Sequence, residues 1–209
     1  LRPLLDGAVE RLHRGELDRV RALLDAVVQA MDNVDMPAAD PRRGRHALLS
    51  AEHRVASGEL EAGLEEAART AGLAVVHGWT VVRADALRLQ GHAIWRQGDR
   101  REAGELFQQA WEAFRELGEL KEAADCLQLL SKAALRSGEL GRARGLARQA
   151  LLASERLGVP IGMARARMVL CDLARAQGEL GTAGVQARQA RAGFRAAGDI
   201  IGEGFALAA

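Results

Sequence analysis

Glycine recurs every twenty residues through three quarters of the chain, at Gly58, Gly78, Gly98, Gly118, Gly138, Gly158, Gly178 and Gly198. Self-similarity at a fixed period marks a protein built from stacked structural repeats. Glycine adopts the left-handed backbone conformation that ends helices, so this spacing predicts helix, turn, helix, turn. Two antiparallel helices then make one forty-residue unit. The fold class that follows is all-α, an α-solenoid of helix pairs, and such architectures serve as binding scaffolds.

Aligned on every second glycine, the units begin GELEAGLEEAART at Gly58, GDRREAGELFQQA at Gly98, GELGRARGLARQA at Gly138 and GELGTAGVQARQA at Gly178, with no gaps. A looser copy, GELDRVRALLDAV, starts at Gly15 and runs 43 residues to the next glycine of this series. Its excess falls in an irregular linker near 32–40. Asp40 and Pro41 there have the residue types of a helix N-cap and first helical position, and Pro160 repeats that start. The organisation expected is a divergent N-terminal segment, 1–57, followed by repeats at 58–97, 98–137, 138–177 and a partial one at 178–209.

Within each unit, apolar residues follow the helical period and not the strand period of two. Alanine recurs five residues after the glycine (Ala103, Ala143, Ala183) and again at twelve (Ala110, Ala150, Ala190). In the second helix Ala84, Ala124 and Ala164 coincide, as do Leu89, Leu129 and Val169. Small residues at matched positions let helix axes approach closely.

The chain balances 29 basic against 28 acidic residues, so no overall field draws it to nucleic acid or an anionic membrane. Its two cysteines, Cys126 and Cys171, fit neither a zinc framework nor a disulfide scaffold. No apolar run approaches the ~20 residues of a membrane span, and no start resembles a signal peptide. A soluble, cytoplasmic protein is expected.

Catalytic motifs are missing: there is no phosphate-binding Gly-x-x-x-x-Gly-Lys loop and no Gly-x-Ser-x-Gly elbow. His46 and His53 share a helix face but lack a third ligand, and read as a surface pair. Asp32, Asn33 and Asp35 lack the alternating ligands and central glycine of a calcium loop. No enzyme activity, metal or cofactor is expected.

The elements Leu127, Leu130, Ser131, Gly138 and Ala143, and again Leu170, Cys171, Gly178 and Ala183, resemble the tetratricopeptide repeat (TPR). HEAT repeats have a similar period, but the placement of glycine and alanine fits the tetratricopeptide pattern better. The common TPR unit has about 34 residues, and the longer unit here is similar to repeats in the sensor arms of bacterial ATP-dependent transcription activators of the LuxR type and of peptide-sensing regulators. The resemblance implies a right-handed superhelix.

It also implies that the helix preceding each unit's glycine lines a concave groove. Transferred by position, the groove residues are Asp85, Arg88, His92, Trp95 and Arg96 in one unit. The next contributes Asp125, Gln128, Lys132, Leu135 and Arg136, and the third Arg165, Met168, Asp172 and Arg175. Six bases against three acids make the implied groove basic, and arginine can grip a carboxylate through two parallel hydrogen bonds. Trp95 and Leu135 would supply apolar anchors. His92, Lys132 and Asp172 replace the asparagines of chaperone-binding relatives, so capture of a chaperone's C-terminal carboxylate is not expected.

The function expected is a non-catalytic protein-interaction scaffold that takes a peptide or partner helix, acidic in character, in this groove. The alternative is the sensory arm of a larger signalling protein, a LuxR-type activator, kinase or cyclase, responding to a small ligand or peptide. The basic run at 41–46 reads as a solvated helix start, and groove positions show no recurring base-reading side chains, so no nucleic acid is expected. The chain starts at Leu1 rather than Met and stops inside the apolar stretch 200–209, which reads as a piece of something longer. Ile200, Ile201, Phe205 and Leu207 predict further repeats or self-association at that end.

Overall fold

The computed structural model describes residues 1–209, with every side chain but that of His13. Eleven helices follow one another: α1 (Arg2–His13), α2 (Leu17–Asn33), α3 (Pro41–Ser57), α4 (Leu60–His77), α5 (Thr80–Gln97), α6 (Arg100–Leu117), α7 (Leu120–Arg136), α8 (Leu140–Arg156), α9 (Pro160–Ala176), α10 (Leu180–Ala196) and α11 (Ile200–Leu207). No strand occurs among the described residues.

All eight glycines of the twenty-residue series, and Gly15, have positive φ. The turn at Gly58 shows why glycine is needed. With φ at 93°, it lets the Glu59 amide reach back to the Arg54 carbonyl at 2.9 Å while the Leu60 amide returns to the carbonyl of Gly58 itself at 2.9 Å. This six-to-one closure satisfies carbonyls that a helix end leaves open, and a Cβ would strain the conformation. The same bonds recur at Gly138, from Glu139 to Ala134 and from Leu140 to Gly138.

The irregular linker is shorter and tighter than its composition suggests. α2 continues through Asn33, and Asp35 takes the left-handed conformation (φ 44°) so that the Met36 amide closes on the Met31 carbonyl at 3.0 Å. Met36 is buried, Arg43 donates to its carbonyl at 2.7 Å, and the Trp79 indole N–H donates to Ala39 at 2.8 Å. Asp40 caps α3 by accepting from the Arg42 amide at 2.9 Å, and Pro41 and Pro160 begin their helices as expected.

The chain divides into two compact units, Leu1–Leu106 and Phe107–Ala209, with the boundary inside α6. In the first, each helix from α1 to α5 packs on the next. In the second, α7 to α11 do the same. Phe107 and Phe114 are among the largest fully buried side chains of the second unit, each stabilising it by about 2–3 kcal/mol relative to exposure.

Within each unit the odd-numbered helices also touch one another: α1 with α3, α3 with α5, and α7 with α9. Neither α2 with α4 nor α8 with α10 packs to that extent among the described residues. In the first unit α1, α3 and α5, and in the second α7 and α9, therefore form the tighter layer, and α5, α7 and α9 carry every groove position named from the sequence.

Candidate partner-binding surface

In the first unit the candidate positions lie along α5, and their charges are largely engaged. Asp85 and Arg88 form an ion pair at 2.9 Å, three residues apart on one helix face. The Arg96 guanidinium donates to the Val55 carbonyl of α3. Trp95 is half-buried, with the Arg100 guanidinium 4.5 Å from its ring centroid, an arrangement that attracts the cation to the ring face. Arg100 also donates to the Trp95 carbonyl at 2.9 Å. His92 is half-buried beside them on the same stripe.

The second unit differs. Gln128 is buried, with its amide nitrogen 3.5 Å from the half-buried Asp125 carboxylate. Leu135 is half-buried against the Ala134, Ala143, Ala147, Val169 and Leu173 cluster, and Met168 against Ala164, Ala190, Phe194 and Ala206. Lys132, Arg136, Arg165, Asp172 and Arg175 are exposed. Lys132, Arg136, Arg165 and Arg175 make no ion pair or hydrogen bond among the described residues.

Lys132 is solvent-accessible, yet its ammonium is held below the ordinary lysine range. Crowding by surrounding protein is the main cause, repulsion from Arg165 the second, and attraction to Asp172 offsets part of both. Lys132 on α7 and Arg165 on α9 are thus near enough to repel each other, and the charge of this face is positive. Beside it, the buried Cys171 thiol is pushed up, first by burial and then by Asp172, so it stays protonated and inert near neutral pH.

Two features escaped the sequence reading. His46 and His53 are half-buried clamps and not a surface pair: their Nε2 atoms donate to the Leu24 and Leu17 carbonyls of α2 at 3.2 and 3.1 Å. Their seven-residue spacing on α3 matches the spacing of those carbonyls on α2. Burial presses the His46 imidazole below its ordinary range, with the Leu24 carbonyl opposing.

The second feature is a cleft of about 290 Å³ between α9 and α10, lined by residues including Pro160, Met163, Arg167, Gln189 and Gly193. The repeat explains it. Forty residues earlier, the positions of Arg167 and Ala192 hold Leu127 and Leu152. Leu127 is buried there, whereas Arg167 turns to Glu155 and Gln189 and leaves the space open. A register comparison of the repeats could have found it.

No family model matches the sequence, and no curated protein matches it. Solved structures do. A Rap protein complexed with competence and sporulation factor superposes with a TM-score of 0.72 at 16% identity, covering 98% of this chain and 60% of that one. TPR-like repeats of a putative kinesin light chain from Podosopora anserina give 0.67 at 18% identity, over 93% of this chain and 94% of theirs. A STAND signal-transduction ATPase with a tetratricopeptide repeat sensor, from Pyrococcus horikoshii, gives 0.60 at 12%, over 98% of this chain and 34% of its own. The chain thus spans about three fifths of that Rap protein and a third of that ATPase. The helix order, the glycine turns and these likenesses agree: the chain has the fold of a TPR-like α-solenoid, an array of antiparallel helix pairs.

Proposed function

We propose that this chain is a non-catalytic interaction module that takes an acidic peptide or partner helix on its odd-helix layer, with the charge recognition concentrated on α7 and α9. The observation that carries the reading is the set of unpaired cations Lys132, Arg136, Arg165 and Arg175 on the tighter layer of the second unit. An anion between Lys132 and Arg165 relieves the repulsion that presses the ammonium down, so binding and local electrostatics favour each other. The half-buried Leu135 and Met168 offer apolar contact on the same two helices as the charges, and Trp95 is a separate apolar contact on α5 of the first unit. Asp125, Gln128 and Asp172 shape the surface of α7 and α9, and Asp85, Arg88, His92 and Arg96 that of α5.

The neighbours support a role of this kind. One was solved with competence and sporulation factor bound, and another carries its repeats as the sensor of an ATPase. The second observation favours a related reading, in which this chain is the sensory arm of a larger cytoplasmic signalling protein. In either case, apolar self-association through α11 is expected, because Ile200, Ile201 and Phe205 are 84%, 72% and 68% exposed.

The test is fluorescence anisotropy with a panel of labelled helix-forming peptides graded in glutamate content. Affinity should rise with acid content and fall with added salt. In the variant Lys132→Glu/Arg136→Glu/Arg165→Glu it should drop about a hundredfold, as three lost contacts of ~1 kcal/mol each imply. Thermal stability should stay near that of the parent, because these groups are exposed. Equal affinity for neutral and acidic peptides, or an unweakened triple variant, would discard the reading.

A further inference from the structure

The near-neutral total conceals a segregation of charge that the odd-helix layer does not account for. Residues 1–106 hold fifteen bases against seventeen acids, whereas residues 140–196 hold ten arginines against three acids. On the even helices the contrast becomes a matched pair of surfaces. α4 carries Glu61, Glu65 and Glu66 against one base, Arg69, with Glu66 paired to Arg54. α10 carries three arginines with no acid, of which Arg191 and Arg195 are paired to Glu203 and Arg188 is not.

The solvent stripe of α4 is Glu61, Glu65, Ala68, Gly72 and Val76, all exposed and spaced three or four residues apart. Glu61 and Glu65 make no ion pair or hydrogen bond among the described residues. The solvent stripe of α8 includes Arg148, Leu152 and Arg156, and that of α10 includes Val185 and Arg188. Arg148, Arg156 and Arg188 are unpaired as well. Arg148 and Arg188 stand forty residues apart, so they hold the same repeat position on successive even helices.

We propose that a second copy of this chain docks through these surfaces, the acidic face of α4 in one copy packing on the arginine-rich faces of α8 and α10 in the other. An antiparallel approach is the one the charges favour. It sets the glutamates at the N-terminal end of α4 beside the arginines toward the C-terminal end of α8, each sign at the helix end that favours it. With Glu61 opposite Arg156, Leu152 (53% exposed) falls beside Glu65 and Ala68 and Val185 (42% exposed) beside Gly72, so apolar contact lies among the charges. A polyanion such as nucleic acid or a lipid surface would engage the arginines alone and leave α4 unexplained. A second copy uses both surfaces.

Exposed ion pairs are individually weak and screened by salt, so the association is reversible and salt-dependent. Each copy carries both faces, and the contact either closes as a pair or continues as a chain. This inference is independent of peptide binding on the odd helices.

Sedimentation velocity of the full chain over a concentration series tests it, in an Ile200→Ser/Phe205→Ser background that removes the separate apolar contact expected at α11. The mass should rise with concentration at low salt and return to the monomer at about 1 M salt, where screening acts within ~3 Å. Glu61→Arg/Glu65→Arg and Arg148→Glu/Arg188→Glu should each be monomeric with unchanged helical circular dichroism, and their equimolar mixture should associate again. Arg148→Lys/Arg188→Lys should still associate, which separates loss of charge from loss of fold. A monomeric parent at low salt overturns the proposal. So does association that survives both reversals in that background, or a monomeric parent that binds heparin or anionic vesicles through Arg148 and Arg188.

Discussion

Residues 1–106 hold their helices together with polar side chains that reach a neighbouring segment's backbone, whereas residues 107–209 do so chiefly by bringing small side chains into contact. In the first unit His46 and His53 bind α2, Trp79 and Arg43 bind the 34–40 turn, and Arg96 binds α3. In the second, fifteen alanines are buried against eight in the first, and Gly162 lies so close to Ser154 that a Cβ would fall 2.5 Å from its Oγ. The consequence is electrostatic. Side chains used as interhelical ties are consumed by the fold, and in the second unit these are Arg144, Arg167, Arg191 and Arg195, none of them on α7. Arg96 is engaged in this way, while Lys132 and Arg165 on the odd helices of the second unit are not.

The sharpest way to break this contrast is to remove a tie. Trp79→Ala deletes a buried ring that covers Gly44, where a Cβ would sit 2.6 Å from the indole, and it also deletes the bond to Ala39. A loss of about 3–5 kcal/mol is expected. Hydrogen exchange should localise it to α2–α5, and loss of protection spread evenly over both units would show that the ties are not specific to the first.

A smaller effect comes from pH. All five histidines lie in residues 1–106. Because burial lowers the folded-state pKa of His46, the unfolded chain takes up a proton first as pH falls. The stability this neutral imidazole contributes is present above about pH 6.5 and is lost progressively below it. Protection factors in α2 and α3, taken against the intrinsic exchange rate at each pH, should fall on acidification from neutral pH while those in α8 and α9 hold, and His46→Gln should flatten the difference. Equal acid sensitivity in the two units would contradict it.

The smallest change expected is a gain. Gly145 lies inside α8 with open space where a Cβ would go. Gly145→Ala should stabilise the second unit by about 0.5–1 kcal/mol through helix propensity alone, read as a modest rise in the denaturation midpoint. A loss instead would mean that something already occupies that space in solution.

Much of the architecture was legible in advance. The turns at Gly58 and Gly138, the Asp40–Pro41 start and the helical period of Ala103, Ala143 and Ala183 are local properties, set by residues close in sequence. The candidate surface was legible only as a helix face. Its members proved unequal in part for reasons that lie on other helices: Leu135 and Met168 lean on interhelical clusters, and Arg96 is held by the Val55 carbonyl of α3. His46 and His53 read as a surface pair because the carbonyls that bind them are 22 and 36 residues away.

The amino-acid sequence by itself determined where the chain turns and which residues share a helix face, because positive φ at glycine and the 3.6-residue period are fixed within a few residues of backbone. Only the tertiary structure decided which charges are spent inside the fold and which remain for a partner. A side chain's partner depends on which carbonyl, carboxylate or empty space a neighbouring helix sets opposite it, and no residue carries that in its own identity.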